Sequence, residues 1–105
     1  MNEGNYLVGV FYVYILRCLD KNGTPSFYTG STNDLMVRVE QHRTGKGARY
    51  THGRDLELVY FETHTSRSNA MKREYEIKEF SAEKKSKLVE DFQKRVKKEE
   101  PPKEG

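Results

Sequence analysis

The alternation of apolar and polar residues along this chain predicts three strands and three helices. Residues 10–19 are almost continuously apolar and rich in aromatic and β-branched side chains, a pattern typical of an interior strand covered on both faces. Asn22-Gly23 is a hairpin signal, and residues 26–30 return as the antiparallel partner. Gly30 is expected to end that second strand, because it removes a side chain and lets another group approach. Residues 56–63 alternate and predict a third strand.

Period-two alternation assigns the strand side chains to faces. In the first strand, one face carries Val10, Tyr12, Tyr14 and Leu16, and the other carries Phe11, Val13 and Ile15. In the third strand, the same counting places Leu56, Leu58 and Tyr60 on one face, opposite Glu57, Val59 and Phe61.

Capping residues and apolar stripes predict the helices. The first helix should run from about Asp34 to Thr44, with Leu35, Val39 and His42 on its buried stripe and Gly45 just beyond its end. Residues 46–53 are basic and punctuated by glycine, with room for one short helical turn. Two more helices are predicted at residues 67–80, after Thr65-Ser66, and at residues 82–97, after Ser81. Their stripes are Ala70, Glu74 and Ile77, flanked by Met71 and Tyr75, and then Leu88, Val89, Phe92 and Val96.

The element order β-β-α-β-α-α predicts an α+β fold, with a small antiparallel sheet flanked by helices in one compact domain. A chain of 105 residues has room for one modest core. We expect a flexible N-terminus over residues 1–9, with Tyr6 to Val8 leaning on the domain. The domain itself should cover residues 10–97, and residues 98–105, around Pro101-Pro102, should form a disordered charged tail.

Several classes of protein are excluded by composition. No apolar run approaches the ~20 residues that span a bilayer, and no signal-peptide pattern is present, so a cytoplasmic protein is expected. Cys18 is the only cysteine, which excludes a disulfide framework and a thiolate metal site. It is most simply a buried, reduced thiol.

Positive charge is concentrated in one part of the chain. The net charge is only +3, but residues 38–54 contain Arg38, Arg43, Lys46, Arg49 and Arg54, opposed only by Glu40. Such a cluster, with Tyr50 within it, is the kind of footprint that meets a phosphate backbone.

Two tyrosines and a helix pair stand out as candidate functional groups. Tyr14 and Tyr28 place phenol hydroxyls on strands that should be plain hydrocarbon, and the hairpin would bring them to one surface. Tyr12 shares a face with Tyr14, so the pattern does not decide which of the two reaches a site. Arg38 and His42 are spaced i, i+4 on one helix face. The guanidinium of Arg38 could bind a phosphate, and His42 could act as a base or proton relay. The alternative is structural: rim tyrosines, an exposed arginine and a core histidine.

Glu74 places a carboxylate within the stripe that must face the sheet. A buried carboxylate needs a cation, because leaving it unpaired costs several kcal/mol. Lys72, Arg73 or Lys78 could pair with it, or it could hold a hard divalent ion, since Mg²⁺ is commonly bound by one or two carboxylates and water.

In order along the chain, these residues resemble the GIY-YIG endonuclease domain. Tyr12-Val13-Tyr14 and Tyr28-Thr29-Gly30 are similar to its signature, and the resemblance continues through Arg38, His42, the segment 45–51, Arg73-Glu74 and Ile77-Lys78. It covers about residues 10 to 80 and is nearest to small stand-alone members related to the Slx-type and UvrC nuclease domains. Tyr12 stands where the signature opens with glycine, and Ser31 stands where some relatives carry lysine.

The resemblance implies a three-stranded antiparallel sheet flanked by helices and hydrolysis of DNA phosphodiesters with one Mg²⁺ or Mn²⁺ ion. It implies that Tyr14 is the general base and Tyr28 the second tyrosine at the scissile phosphate. Arg38 is then the group that stabilises the transition state, His42 the group that assists proton transfer, and Glu74 the metal ligand. Arg43, Lys46, Arg49, Tyr50 and Arg54 are the expected nucleic-acid-binding residues.

Three functions therefore compete. The first is a metal-dependent DNA endonuclease, with DNA repair or recombination as its setting and a protein partner as a source of specificity. The second is a non-catalytic nucleic-acid-binding module that kept the fold, and the third is a protein-interaction domain. Retention of all five polar positions favours the enzyme, because a pure binder could replace Glu74 with an apolar residue and gain stability. Nothing in the sequence separates DNA from RNA, or one substrate shape from another.

Overall fold

The computed structural model describes residues 9–99, so the expectations for residues 1–8 and 100–105 lie outside it. The last helix continues to Glu99, two residues beyond its predicted end. It confirms the α+β fold and the order β-β-α-β-α-α, with a short 3₁₀ turn before the third strand. The elements are β1 (Phe11–Leu19), β2 (Pro25–Thr32), α1 (Leu35–Arg43), the 3₁₀ turn (Arg49–Thr51), β3 (Asp55–His64), α2 (Arg67–Lys78) and α3 (Ala82–Glu99).

The sheet is antiparallel, in the order β2-β1-β3, so that β1 is its central strand. Residues 13–16 of β1 are all buried, as predicted for a strand covered on both faces. The hairpin turn is held by Asp20, whose carboxylate accepts hydrogen bonds from the backbone N–H groups of Asn22 and Thr24, both at 2.9 Å.

The core is divided between the two faces of the sheet. On one face, Val13 and Ile15 pack with residues of β3, α2 and α3, namely Val59, Tyr60, Ala70, Ile77 and Val89. On the other face, Tyr14, Leu16 and Cys18 pack with Leu35 and Val39 of α1. This division confirms the predicted faces of β1, and it assigns α1 to the face that carries the phenol of Tyr14. Cys18 is a buried free thiol, as expected.

The predicted face of Tyr60 is wrong. A register shift between Ile15 and Leu16 pairs Ile15 with Tyr60 but Leu16 with Leu58, so Val59 is an extra residue in β3. Such a bulge moves every later side chain of the strand to the opposite face. Tyr60 therefore packs on the Ile15 side, while Leu58 stays on the Leu16 side.

The predicted end of the second strand is also wrong. β2 continues past Gly30, because Ser31 and Thr32 pair with Val13 and Tyr12 of β1. Gly30 does leave space, but Tyr14 fills it: a Cβ atom on Gly30 would lie 2.5 Å from the Tyr14 hydroxyl oxygen. The missing side chain thus admits a cross-strand phenol without ending the strand.

The helices begin and end close to their predicted limits. Asp34 caps α1, Ser66 caps α2 and the hydroxyl of Ser81 accepts the backbone N–H of Lys84 at the start of α3. α2 ends at Lys78, two residues earlier than predicted, and its flanking residues Met71 and Tyr75 are exposed. Among residues 9–99, no helix is both long enough and apolar enough to cross a membrane.

Candidate active site

Tyr14 and Tyr28 face the same side of the sheet, as their strand positions predict. Tyr14 is directly opposite Gly30 in the register, and its ring lies 6.5 Å from the ring of Tyr28, centroid to centroid. Burial and ring contacts separate the two candidate tyrosines of β1. Tyr14 is buried within the cluster, whereas Tyr12 packs its ring against Phe61 at the other edge.

α1 brings His42 onto these tyrosines. Its buried stripe of Leu35, Val39 and His42 packs on the sheet, and His42 is only 1% exposed. The Nε2 atom of His42 lies 2.8 Å from the hydroxyl oxygen of Tyr14, at hydrogen-bonding distance. The His42 ring also meets Tyr28 edge-on at 5.2 Å. The predicted tyrosine pair and the predicted histidine therefore form one cluster.

The other nitrogen of His42 contacts the segment that follows α1. Its Nδ1 atom lies 2.8 Å from Oγ1 of Thr51, which is 1% exposed and belongs to the 3₁₀ turn. Gly47 lies against the same ring, so closely that any Cβ atom at that position would collide with it. The basic, glycine-punctuated segment thus closes over the histidine.

The protonation of the pair follows from its burial. Burial raises the pKa of Tyr14 to about 12, and the nearby guanidinium of Arg38 opposes this rise only in part. Burial also lowers the pKa of His42 below its usual 6.5, and the charge of Arg38 adds to that effect. At neutral pH the pair is therefore a phenol and a neutral imidazole.

Arg38 lies one helical turn before His42, beside a polar groove of about 340 Å³. Its Nη1 atom donates a 3.0 Å hydrogen bond to Oε1 of Gln41, which holds the guanidinium at the groove wall. Arg67, the first residue of α2, lines the same groove. A larger groove of about 560 Å³ lies between the hairpin and α3 in the described region, but it contains none of the predicted site residues.

Glu74 lies on α2 facing β2, and its carboxylate is one-fifth exposed. One oxygen accepts a 2.6 Å hydrogen bond from the hydroxyl of Ser31, and the other lies 2.8 Å from Nζ of Lys78. Of the three cations that the sequence offered, Lys78 is the partner, because Arg73 binds Glu62 and Glu76 instead. Ser31 also lines the groove of Arg38, so its hydrogen bond links Glu74 to a residue of the groove wall.

The chemistry around Glu74 fits a single Mg²⁺ ion held by few protein ligands. Within residues 9–99, no three His, Cys, Asp or Glu side chains form a group that could hold a metal ion. Glu74 would supply one hard oxygen ligand, the kind that Mg²⁺ prefers, and Mg²⁺ commonly keeps several waters. Lys78 is half exposed and on a flexible stem, so it can leave the carboxylate.

The predicted nucleic-acid-binding residues are only partly gathered together. Tyr50 stacks on Tyr28 at 6.0 Å, and the guanidinium of Arg54 lies 4.6 Å over the ring of Tyr50. These two residues therefore border the site directly. The other three, Arg43, Lys46 and Arg49, are exposed and form no ion pair within the described chain.

Four residues of the site were given no role from the sequence. Thr51 contacts His42, and Gln41 contacts Arg38. Ser31 binds Glu74, and Arg67 lines the same groove as Arg38. Ser31 had one usable signal, its position directly after the Tyr-Thr-Gly segment. The contacts of the other three depend on the placement of side chains, and no spacing rule finds them.

The chain is similar to known proteins. The family described as the GIY-YIG catalytic domain matches residues 10–87. A UPF0213 protein of Haloquadratum walsbyi is 48% identical over 76% of this chain and 86% of its own length, and one of Staphylococcus epidermidis is 47% identical over 76% and 94%. The solution NMR structure of the UPF0213 protein BH0048 from Bacillus halodurans is 44% identical, covers 77% of this chain and 83% of that protein, and superposes with a TM-score of 0.46. The chain therefore belongs to the GIY-YIG family, together with the UPF0213 proteins that it resembles.

Proposed function

We propose that this protein is a metal-dependent endonuclease that hydrolyses phosphodiester bonds in DNA. The observation that carries the proposal is the buried hydrogen bond between Tyr14 and His42, with Arg38 and Glu74 close to the same phenol. This arrangement combines a path for a proton, a cation for a phosphoryl oxygen and a carboxylate for a metal ion. Those are the parts that phosphodiester hydrolysis requires.

In the proposed reaction, Tyr14 and His42 pass on the proton of the attacking water. With a pKa of about 12, Tyr14 cannot act as a stable phenolate while its partner is a weakly basic imidazole. The proton must therefore move in a relay: the phenol oxygen takes the proton of the water as it gives its own to Nε2 of His42. Tyr28, whose ring contacts both Tyr14 and His42, lies next to this path.

Glu74 would hold one Mg²⁺ or Mn²⁺ ion, with water and substrate oxygens completing the coordination. Such an ion lowers the pKa of bound water and neutralises charge on phosphate oxygens. Ser31 orients the carboxylate through its 2.6 Å hydrogen bond, and Lys78 balances its charge. The hydroxyl of Ser31 would therefore hold one carboxylate oxygen in place, and the half-exposed ammonium of Lys78 could give way to an ion.

The nucleic acid would lie across the groove between Arg38 and Arg67. Three exposed cations extend positive charge from the end of α1 into the segment that follows it: Arg43, Lys46 and Arg49. Contacts of this kind bind the phosphate backbone and lose affinity as salt rises. DNA repair or recombination would be a setting for this activity, and a protein partner would add specificity.

Replacing Arg38 with alanine is expected to lower the rate of cleavage by about 10²–10³-fold, the usual loss when a charge-stabilising donor is removed. Arg38→Lys should recover only part of the rate, because an ammonium cannot bind two phosphoryl oxygens in the bidentate geometry of a guanidinium. Single-turnover kinetics at saturating enzyme measure this loss. Arg43→Ala is the matched control: it removes a cation from the same helix at an exposed position. Equal losses in Arg38→Ala and Arg43→Ala would contradict a specific role for Arg38.

The pH dependence should reveal His42 as the final proton acceptor. A neutral imidazole is required, and the pKa of His42 is lowered below 6.5, first by burial and then by Arg38. The rate of the chemical step should therefore not depend on the charge of His42 above pH 6.5. It should fall as the pH drops through the lowered pKa, where the imidazole becomes charged.

A pH profile of single-turnover cleavage checks this expectation, with His52→Gln as the control, since His52 is exposed and outside the cluster. His42→Gln should lose most of the rate and the acid limb together. An acid limb that persists in His42→Gln would assign it to another group.

The proposed function as a whole is tested on a panel of labelled duplex, flap, branched and single-stranded DNAs, with matching RNAs, in Mg²⁺, Mn²⁺ or EDTA. Cleavage that requires the ion and favours one substrate shape is the expected result. Salt-sensitive binding without any cleavage would overturn the enzyme and favour a binding module with the same fold. The absence of both binding and cleavage would remove nucleic acid as the ligand.

A further inference from the structure

We propose that Thr51 is a positioning residue: its hydroxyl holds His42 as the tautomer protonated on Nδ1, so that Nε2 stays free to accept the proton of Tyr14. The tautomer is inferred from contacts within the folded protein. Its effect on the rate rests on the proposed function, because it deepens the proton relay of the same site.

The hydroxyl of Thr51 has two partners and one proton. Its Oγ1 atom lies 2.9 Å from the carbonyl oxygen of Ala48 and 2.8 Å from Nδ1 of His42. A carbonyl oxygen can only accept, so the contact with Ala48 is a hydrogen bond only when Thr51 donates to it. The contact with His42 is then a hydrogen bond only when Nδ1 carries a proton and donates to Oγ1.

The protonation of Nδ1 determines the state of Nε2, on the other side of the ring. A neutral imidazole protonated on Nδ1 has a lone pair on Nε2. The hydroxyl of Tyr14 lies 2.8 Å from that atom and must donate to it. The hydrogen bonds therefore run in one direction, from Tyr14 to His42 to Thr51 to Ala48. In the other tautomer, the Thr51 hydroxyl would donate its proton to Nδ1. Its contact with the carbonyl oxygen of Ala48 would then have no proton and would not be a hydrogen bond.

The ring cannot exchange its two nitrogens in this setting. His42 is 1% exposed, and the backbone of Gly47 lies so close to Nδ1 that a Cβ atom would collide with the ring. Tyr14 and Tyr28 meet the same ring edge-on, at 5.9 Å and 5.2 Å. Thr51 is itself fixed, because its backbone N–H donates to the same carbonyl of Ala48 at 3.1 Å. Packing thus holds both partners in place.

The tautomer determines whether the relay can work. When the phenol oxygen of Tyr14 takes the proton of the attacking water, its own O–H bond breaks and a new N–H bond forms at Nε2. His42 then carries two N–H groups, and the one on Nδ1 still donates to Thr51, so that contact survives the step. With the proton on Nε2 instead, no lone pair faces Tyr14 and the phenol has nowhere to pass its proton.

The test is the ¹⁵N NMR spectrum of the His42 ring above its pKa, recorded for the wild type, Thr51→Ser and Thr51→Val. Long-range couplings to the ring protons tell a protonated nitrogen from an unprotonated one. We expect a protonated Nδ1 and an unprotonated Nε2 in the wild type and in Thr51→Ser. Thr51→Val keeps the shape but removes the acceptor, so the protonated-Nε2 form should gain population by about 3- to 10-fold, the factor that one ordinary hydrogen bond makes.

Cleavage assays then separate the inference from the proposed function. The single-turnover rate of Thr51→Val should fall with the population of the productive tautomer, and Thr51→Ser should restore it. Thr44→Val is the matched control, because the Thr44 hydroxyl bonds only the carbonyl oxygens of Glu40 and Gln41.

A protonated Nε2 in the wild type would overturn both the role of Thr51 and the relay from Tyr14 to His42. An unchanged tautomer in Thr51→Val would overturn the role of Thr51 alone. In either case, metal-dependent cleavage of the DNA panel tests the nuclease activity separately. The expected tautomers in a protein that cleaves nothing would confirm the assignment while the proposed function fails. The wild-type spectrum decides the tautomer even if Thr51→Val does not fold.

Discussion

Replacing Glu74 with alanine is expected to reduce metal-dependent cleavage by about 10³-fold or more. A metal ion that polarises a phosphoryl oxygen stabilises the charge of the transition state by several kcal/mol, and without Glu74 the ion would lose its protein ligand. Glu74 is the carboxylate that borders the groove of Arg38 through Ser31, and it is close enough to Tyr14 to influence the pKa of that phenol. Glu74→Gln should be nearly as inactive, because it keeps the size and the hydrogen bond to Ser31 but removes the charge.

The fold should survive these substitutions. Glu74 is partly exposed and its partner Lys78 is half exposed, so breaking this ion pair should change the free energy of unfolding by no more than about 1 kcal/mol. Thermal denaturation of each variant checks that point. Glu76→Ala is the matched control: it removes a carboxylate two residues away on α2 that is paired with Arg73 and is 60% exposed. It should leave cleavage close to the wild-type rate.

The response to the metal ion makes the experiment sharper. If Glu74 binds the ion, raising the concentration of Mn²⁺ should restore part of the activity of Glu74→Gln, and the half-saturating concentration should shift. Cleavage that is unchanged in Glu74→Ala would point to a contaminating nuclease and exclude Glu74 as the metal ligand. A loss that is equal in Glu76→Ala would indicate a general effect of charge on DNA binding.

The sequence predicts the fold well where a local rule decides the structure. The continuous apolar run of β1, the Asn22-Gly23 turn and the caps Asp34 and Ser66 each act within a few residues, and each is found where it was expected. The errors are not local. The bulge at Val59 depends on how β3 pairs with β1, and period-two counting cannot see an inserted residue. Gly30 was wrongly expected to end a strand. The residue that occupies the space of its missing side chain is Tyr14, sixteen residues away in the sequence, so no local pattern shows this contact.

The candidate site follows the same division. Tyr14, Tyr28, Arg38, His42 and Glu74 are visible in the sequence because each places a polar group in or beside an apolar pattern. Their assembly depends on the register of the strands and on side-chain contacts, and the contacts place Tyr14, not Tyr12, beside His42 and Tyr28. Thr51 could not be found in this way, since its role comes from one short turn packed against His42. Likewise, the hydrogen bond between Ser31 and Glu74 joins residues far apart in the chain, and the local sequence around either residue does not predict the other as its partner.

Replacing Tyr14 with phenylalanine is expected to lower the single-turnover rate by about 10²–10⁴-fold, the range that general acid–base groups contribute. The substitution removes only the hydroxyl that donates to Nε2 of His42. The same change leaves a buried acceptor without a partner, which should lower the free energy of unfolding by about 1–3 kcal/mol. Cleavage must therefore be compared well below the melting temperature of the variant. Tyr12→Phe is the matched control, because Tyr12 lies on the same face of β1 but packs against Phe61.

A double-mutant cycle distinguishes a relay from two separate contributions. If the proton passes from Tyr14 to His42, His42 can no longer contribute to the rate once the Tyr14 hydroxyl is removed. Tyr14→Phe combined with His42→Gln should then be about as slow as the slower single variant, since residues that act as one unit are strongly non-additive. Rate losses that multiply in the double variant would show two independent contributions, and the buried hydrogen bond would then serve only to orient the phenol.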